Sequence, residues 1–309
     1  MISSLVLLAT LATPAADLDT ITKNFPGRVG ACIQDGTKLN CTRGDERFSL
    51  QSVVKLIVSV AVLDDDRFRV NQPITVYPKD LSVSVQPIAQ YVTPNGYKTT
   101  IGELIRSTIM TSDSAACDIL IARLGGPKAV HAFLIRKGIT GMRVDRDERH
   151  LQTETDGLTW RDEFIDPKVL EAAIAKIPEG KRYAAYKRYQ ADPRDTSTPK
   201  AMTTFLTRLV NGDLLPPDRT AFILQAMADC TTGADRLKAG TPSTWKLAHK
   251  TGSSGTRRGL TVATNDVGIL TAPDGRKISI AVFVGDSTAS PDERAAMIAA
   301  IAKAATASN

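Results

Sequence analysis

Apolar positions crowd most densely between Phe48 and Leu63, where only Ser49, Gln51, Ser52, Lys55 and Ser59 are polar. The pattern predicts a helix buried on nearly every face, ended by the charged run Asp64-Asp65-Asp66-Arg67. Ile101, Leu104, Ile105 and Ile109 recur at helical spacing within residues 100–111. Residues 114–124 predict a further helix stopped by Gly125-Gly126, and Pro127 opens another over 128–137. Residues 166–177 read as a capped helix and 181–190 as a basic, tyrosine-bearing one. Residues 199–211 and 217–227 each begin with proline and read as helices, and the alanine-rich 291–305 as a closing helix.

Strand-like patterns sit at the two ends. Residues 28–33 and 38–42 flank a turn signal. A two-residue turn at Gly36-Thr37 places Cys32 opposite Cys41, whereas a turn at Asp35-Gly36 separates them. Near the other end, residues 244–249, 260–264, 267–270 and 278–284 suit strands, with Asp274-Gly275 as a hairpin turn. Residues 70–95 lack a strong period and read as loop, as does the charged stretch 145–152. Strands around a helical middle predict a discontinuous domain. The ends form a sheet, the middle forms a helical lobe, and the cleft between them is the natural site.

Composition narrows the classes. The 309-residue chain carries a net charge of +6, but its basic residues are interleaved with acids. That distribution excludes a nucleic-acid stripe. His131, His150 and His249 lie far apart, and no Cys/His cluster has zinc-ligand spacing, so no metal is expected. Residues 5–12 form an apolar run followed by Thr13-Pro14-Ala15-Ala16. This reads as a signal peptide over residues 1–16, too short to span a bilayer. Export puts the four cysteines where disulfides persist. Cys117 and Cys230 fall on helical patterns and are expected as buried free thiols.

Four stretches carry candidate chemistry. Lys55 lies one helical turn after Ser52, on the same face, where a buried amine can activate a hydroxyl. Ser52 at a helix N-terminus also has backbone N–H groups to offer a developing oxyanion. The others are Thr111-Ser112-Asp113-Ser114, Lys250-Thr251-Gly252-Ser253, and the charged 145–152 with Glu148 and Gln152. Each alone also fits a helix cap, a strand end or a solvated loop.

Together, and in this order, these stretches resemble the class A serine β-lactamases, whose motifs are Ser-x-x-Lys, Ser-Asp-Asn and Lys-Thr-Gly. Ser52 and Ser112 lie 60 residues apart, and Ser112 and Glu148 lie 36 apart, as that family has them. Thr244-Trp245 and Asp195-Thr196-Ser197-Thr198-Pro199 also look like its pattern. The resemblance covers the chain from about Arg28 onward. It implies an α/β two-lobe fold, with an antiparallel sheet flanked by N- and C-terminal helices plus an all-helical lobe. The catalytic domain would span 17–309, with the α/β lobe from about 17–50 and 200–309 and the all-α lobe about 51–199.

The resemblance also implies hydrolysis of β-lactam antibiotics through a serine acyl-enzyme, and hence resistance. Ser52 becomes the nucleophile. Lys55, or Glu148 through a water, becomes the base. Ser112 relays a proton beside Lys250. Ser114, Gln152, Arg236, Thr251, Gly252 and Ser253 hold substrate or water. It implies no cofactor, a secreted or periplasmic monomer, and no membrane contact after signal removal. A D,D-peptidase acting on cell-wall peptides uses the same serine and lysine logic, and a non-catalytic β-lactam sensor is a further alternative.

Three features depart from the family. Ser114 stands in place of an asparagine that would bond both Lys55 and the substrate. His249 precedes Lys250 where an acid is common. The Ω-loop holds about 43 residues between Gln152 and Asp195, with an insertion over about 153–190. Such length predicts a helical excursion over the cleft rim, since structureless loops beyond about 12–15 residues are uncommon. Arg146 and Asp195 are expected to pair across its base. Glu154 is the rival base if the register shifts. Arg236 is expected to replace the arginine missing at Gly259, with Arg257 or Arg258 as substitutes.

Overall fold

The computed structural model describes residues 17–307, so the signal-like segment lies outside the described residues. The main sheet is antiparallel throughout. Its order runs from Lys38–Thr42 to Arg28–Asp35, Lys277–Ser287, Leu260–Thr271 and Lys246–Ser253, with Thr256–Arg257 paired to the Leu260 end. Strand side chains alternate between faces. Ile278, Ile280, Val282 and Val284 meet the closing helix Pro291–Ala307 and Leu18 of the helix Leu18–Thr22. Ala281 and Phe283 face the other way, into the large helical cluster. Cover on both faces explains the unbroken apolar run Ile280-Ala281-Val282-Phe283-Val284 within this strand.

The serine segment forms a 3-10 turn, Gln51–Val53, running into the helix Val54–Asp64. Every residue from Val54 to Leu63 is buried. The helices Ile101–Met110, Ser114–Leu124 and Pro127–Arg136 pack around it, and Pro199–Val210 closes the cluster against the sheet. One apolar core therefore runs from the helical lobe to the inner sheet face.

Asp35 pairs with Lys38, so the first hairpin turns at Gly36-Thr37. Gly36 has φ +54°, a left-handed value that glycine adopts freely. The register sets Cys32 against Cys41, Cα–Cα 4.2 Å, and the two are disulfide-bonded. Cys117 and Cys230 are free and buried.

Four expectations are corrected. Residues 260–264 and 267–270 form one strand, Leu260–Thr271. Asn265 and Asp266, the polar pair between those two stretches, are buried with partners. Asn265 donates to the carbonyls of Ser49 and Leu50, and Asp266 accepts from Leu237 N. The strand Lys246–Ser253 runs through the Lys-Thr-Gly residues rather than ending before them. Residues 70–95 hold the strand Pro73–Val76, which pairs with Tyr97–Thr100, and two 3-10 turns. Glu148–Thr155 is a helix, not loop, because Asp147 caps it by accepting from His150 N. The insertion is helical, with Asp162–Ile165, Pro167–Ala175 and Glu179–Gln190.

Candidate active site

Ser52 sits on the 3-10 turn, where backbone geometry is tight. Gln51 before it has φ +44°, unfavourable for a residue with a Cβ. Neighbours hold it there. Leu50 N donates to Asp195 O, and Asn265 grips the two preceding carbonyls. Gly252 presses against the same turn. A Cβ on it would lie 2.6 Å from Leu50 O and 3.0 Å from Val53 N. Only glycine lets this strand approach the serine so closely.

Lys55 is 1% exposed, and its Nζ makes three polar contacts. It donates to Ser52 Oγ at 2.9 Å and Ser114 Oγ at 3.2 Å, and pairs with Glu148 Oε1 at 3.1 Å. A buried ammonium is tolerable only with such partners. Glu148, equally buried, also meets Ser114 Oγ at 3.4 Å and accepts from Gln152 Nε2 at 3.2 Å through Oε2. Gln152 lies one helical turn after Glu148, on the same face.

Asp118 fixes the start of the Glu148 helix. Its carboxylate accepts from Glu148 N at 2.7 Å and from Arg149 N at 3.2 Å. Burial and the charges of Asp147 and Glu148 push its pKa to about 8. Sequence reasoning passed over Asp118. The available signal was an acid within the apolar run 115–121, the same anomaly that marked Lys55.

Arg146 pins the base of the Ω-loop. Its Nε donates to Asp195 Oδ2 at 2.7 Å, and its Nη1 contacts Glu154 at 2.6 Å and Asp192 at 3.2 Å. Glu154, the rival carboxylate, is thus engaged by Arg146 and Arg194 on the far side of the loop. Glu148, not Glu154, is the acid beside Lys55.

The opposite wall is the strand Lys246–Ser253. Lys250 is fully buried, donating to Ser112 Oγ at 3.0 Å and Thr251 O at 2.9 Å. Burial and the nearby Lys55 charge depress its pKa to about 7. Ser112 holds φ +61°, and Asp113 anchors the segment by accepting from Ala116 N and Ile88 N. The Thr251 and Thr232 hydroxyls lie 2.6 Å apart. Arg236 Nη2 donates to Ser253 Oγ at 2.7 Å, and Nη1 to Asn265 O at 2.9 Å. Arg257 and Arg258 pair instead with Asp156 and Glu179 of the loop and its insertion.

His249 points behind this wall. Its Nδ1 lies 2.9 Å from the fully buried Asp266 carboxylate. Burial pulls its pKa down, but Asp266 and a bond to Cys230 carry it up to about 10. Cys230 is raised by burial and lowered further by His249 and Thr232, to about 7.

Ser52, Lys55, Ser112, Ser114, Glu148, Gln152, Arg236, Thr251, Gly252 and Ser253 all line one cleft, with Lys250 buried behind Ser112. A model of the β-lactamase enzyme family matches residues 13–308 of this chain. The chain belongs to the class A β-lactamases. It is 31% identical over 281 residues to a β-lactamase of Mycobacterium tuberculosis, covering 89% of this chain and 77% of that one. It is 29% identical over 296 residues to β-lactamase VEB-1 of Pseudomonas aeruginosa, covering 93% and 87%. Among solved structures, a β-lactamase from Chitinophaga pinensis superposes with TM-score 0.77 at 28% identity, covering 94% of this chain and 98% of the other. The ancestral class A enzyme GNCA gives 0.74 at 30%, with the same coverage.

Within this class A fold, Ser114 keeps the Lys55 contact expected of an asparagine. Its single hydroxyl proton is directed to Glu148, which leaves no donor for a substrate.

Proposed function

We propose that the protein hydrolyses β-lactams through an acyl-enzyme on Ser52. One observation carries this reading: a single buried nitrogen, Lys55 Nζ, touches both the Ser52 hydroxyl and the Glu148 carboxyl group. Ser52 Oγ attacks the lactam carbonyl; Lys55 takes its proton while passing one of its own to Glu148, or a water carries the proton to Glu148. Backbone N–H groups of Ser52 and Ser253 stabilise the oxyanion. Ser112, held by Lys250, relays that proton to the departing lactam nitrogen, which returns Glu148 to a carboxylate. Thr251, Ser253 and Arg236 hold the substrate carboxylate. Glu148 then takes a proton from a water that Gln152 helps to hold. The hydroxide attacks the ester, the Ser52–carbonyl bond breaks, and Ser52 regains its proton.

An exported enzyme of this kind would serve in resistance. The Cys32–Cys41 disulfide supports export, since disulfides persist in an oxidising compartment. Nitrocefin tests the reading. Sustained turnover by purified protein is expected. A burst that stalls supports a D,D-peptidase, and no reaction supports a sensor.

A further inference from the structure

We propose that Tyr189, carried by the insertion, is a positioning residue for deacylation: it orients the Gln51 and Gln152 amides, and through them the acceptor that holds the attacking water against Glu148. The proposal rests on the acyl-enzyme reading above.

The insertion helix Glu179–Gln190 buries Tyr186 and Tyr189, which lie on one face one turn apart. The Tyr189 hydroxyl lies 2.5 Å from Ser49 Oγ and accepts a hydrogen bond from Gln51 Nε2. Burial, partly offset by those two partners, pushes its phenol above the usual range. The phenol therefore stays protonated. It donates to Ser49, because Gln51 Nε2 offers only hydrogens.

This fixes the next amide along. With Nε2 turned to Tyr189, Gln51 must present Oε1 on its other side, where Gln152 Nε2 donates to it at 3.2 Å. Gln152 Nε2 also donates to Glu148 Oε2 at 3.2 Å. Both amide hydrogens of Gln152 are then committed, and its carbonyl oxygen is the end that can accept from a water on Glu148. Turning either amide over sets donor against donor, or carbonyl against carboxylate. The chain runs Tyr189, Gln51, Gln152, Glu148, and its first member comes from the insertion.

Tyr186 secures the helix from the opposite wall. Its hydroxyl bonds Gly255 O, lies 3.1 Å from Ser254 Oγ, and accepts from Val262 N at 3.1 Å. Arg257 lies over its ring. The insertion thus spans the strand end beyond Ser253 and the turn before Ser52. A brace fixed on both walls can hold Tyr189 to the small tolerance that amide orientation requires.

Tyr189→Phe removes one oxygen and keeps the buried ring. Wild type, Glu148→Gln, Tyr189→Phe, Gln51→Ala and the Tyr189→Phe/Gln51→Ala double variant are mixed rapidly with benzylpenicillin. Acylation and deacylation are read separately by quenched intact mass. Tyr189→Phe is expected to acylate within about twofold of wild type and to deacylate about 10- to 100-fold more slowly, as misplacement of a reacting group allows. Gln51→Ala should share the defect, and the double variant should add little to it. Wild-type deacylation in Tyr189→Phe, while Glu148→Gln traps the adduct, overturns the positioning role and leaves the acyl-enzyme reading standing. Equal losses in acylation and deacylation reduce Tyr189 to a structural part and also overturn it. Wild-type turnover by a Ser52→Ala variant instead removes the acyl-enzyme reading itself.

Discussion

Glu148→Gln separates the two halves of the reaction with the least change of shape. Glutamine can keep its Oε1 toward Lys55 Nζ, now 3.1 Å away. The new Nε2 then lies where Oε2 was, facing Gln152 Nε2 at 3.2 Å, donor against donor. Two costs follow. Breaking a buried ion pair costs about 3–5 kcal/mol when nothing replaces the lost partner. The retained acceptor keeps the stability loss below that range. Losing the base costs about 10²–10⁴-fold in the step it serves, or roughly 2.7–5.5 kcal/mol of barrier. Acylation is expected to survive, slowed, because Lys55 still lies 2.9 Å from Ser52 Oγ and as the neutral amine takes its proton. The variant should accumulate an adduct on Ser52 equal in mass to the whole β-lactam, seen by intact mass within one mixing experiment, with Glu154→Gln as control. Normal turnover in Glu148→Gln, with trapping in Glu154→Gln, refutes the assignment. The engagement of Glu154 by Arg146 and Arg194 leads us to expect the reverse.

Three further outcomes follow from the opposite wall. Arg236→Ala should raise KM for penicillins about 10- to 100-fold with little change in kcat, the worth of a lost charge-assisted contact of about 1.5–3 kcal/mol; an unchanged KM in steady-state assays would sink it. Lys250, with its pKa held at about 7, loses its charge as pH rises through that value, so kcat/KM for carboxylate-bearing substrates should fall above about pH 7, and a flat profile to about pH 9 contradicts this. Because that pKa is depressed from 10.5, the same group makes stability fall as pH drops from 10.5 toward 7. Cys230 and His249 are both charged between about 7 and about 10, since Cys230 loses its proton above the first value and His249 keeps its own below the second. Cys230→Ala should therefore cost most stability inside that window, and denaturant melts showing the largest loss below it would contradict the pair.

The chemistry was legible because much of it is local. Ser52 and Lys55 share a helix face, and Lys250, Thr251, Gly252 and Ser253 share a strand, so type and spacing are enough to mark them. Asp118 was missed because its partner is the backbone of Glu148, 30 residues away. The tyrosines were seen only as part of a basic helix. Tyr189 meets Gln51 138 residues distant, and Tyr186 meets Ser254 68 residues distant. Asn265-Asp266 broke the strand pattern in sequence because polar pairs usually stay in water. Here buried backbone at Ser49, Leu50 and Leu237 supplies what water would. The stretch 145–152 hid a helix because it opens on acidic side chains, Asp147 and Glu148, and no apolar period marks it.

The lock between Arg146 and Asp195 bears on how the chain could acquire so long an excursion. The two residues are 49 apart in sequence, yet Asp195 accepts from Asp145 N, Arg146 N and Arg146 Nε, and Asp195 N donates back to Asp145. The polypeptide leaves and re-enters through a closed neck. Once a neck is shut, lengthening the loop beyond it costs little, because each doubling adds only about 0.6 kcal/mol of closure entropy. The neck also touches the turn that carries Ser52, through Asp195 O and Leu50 N. Whatever is spliced in beyond it is delivered to the same place, so length could vary freely during descent while the address stayed constant.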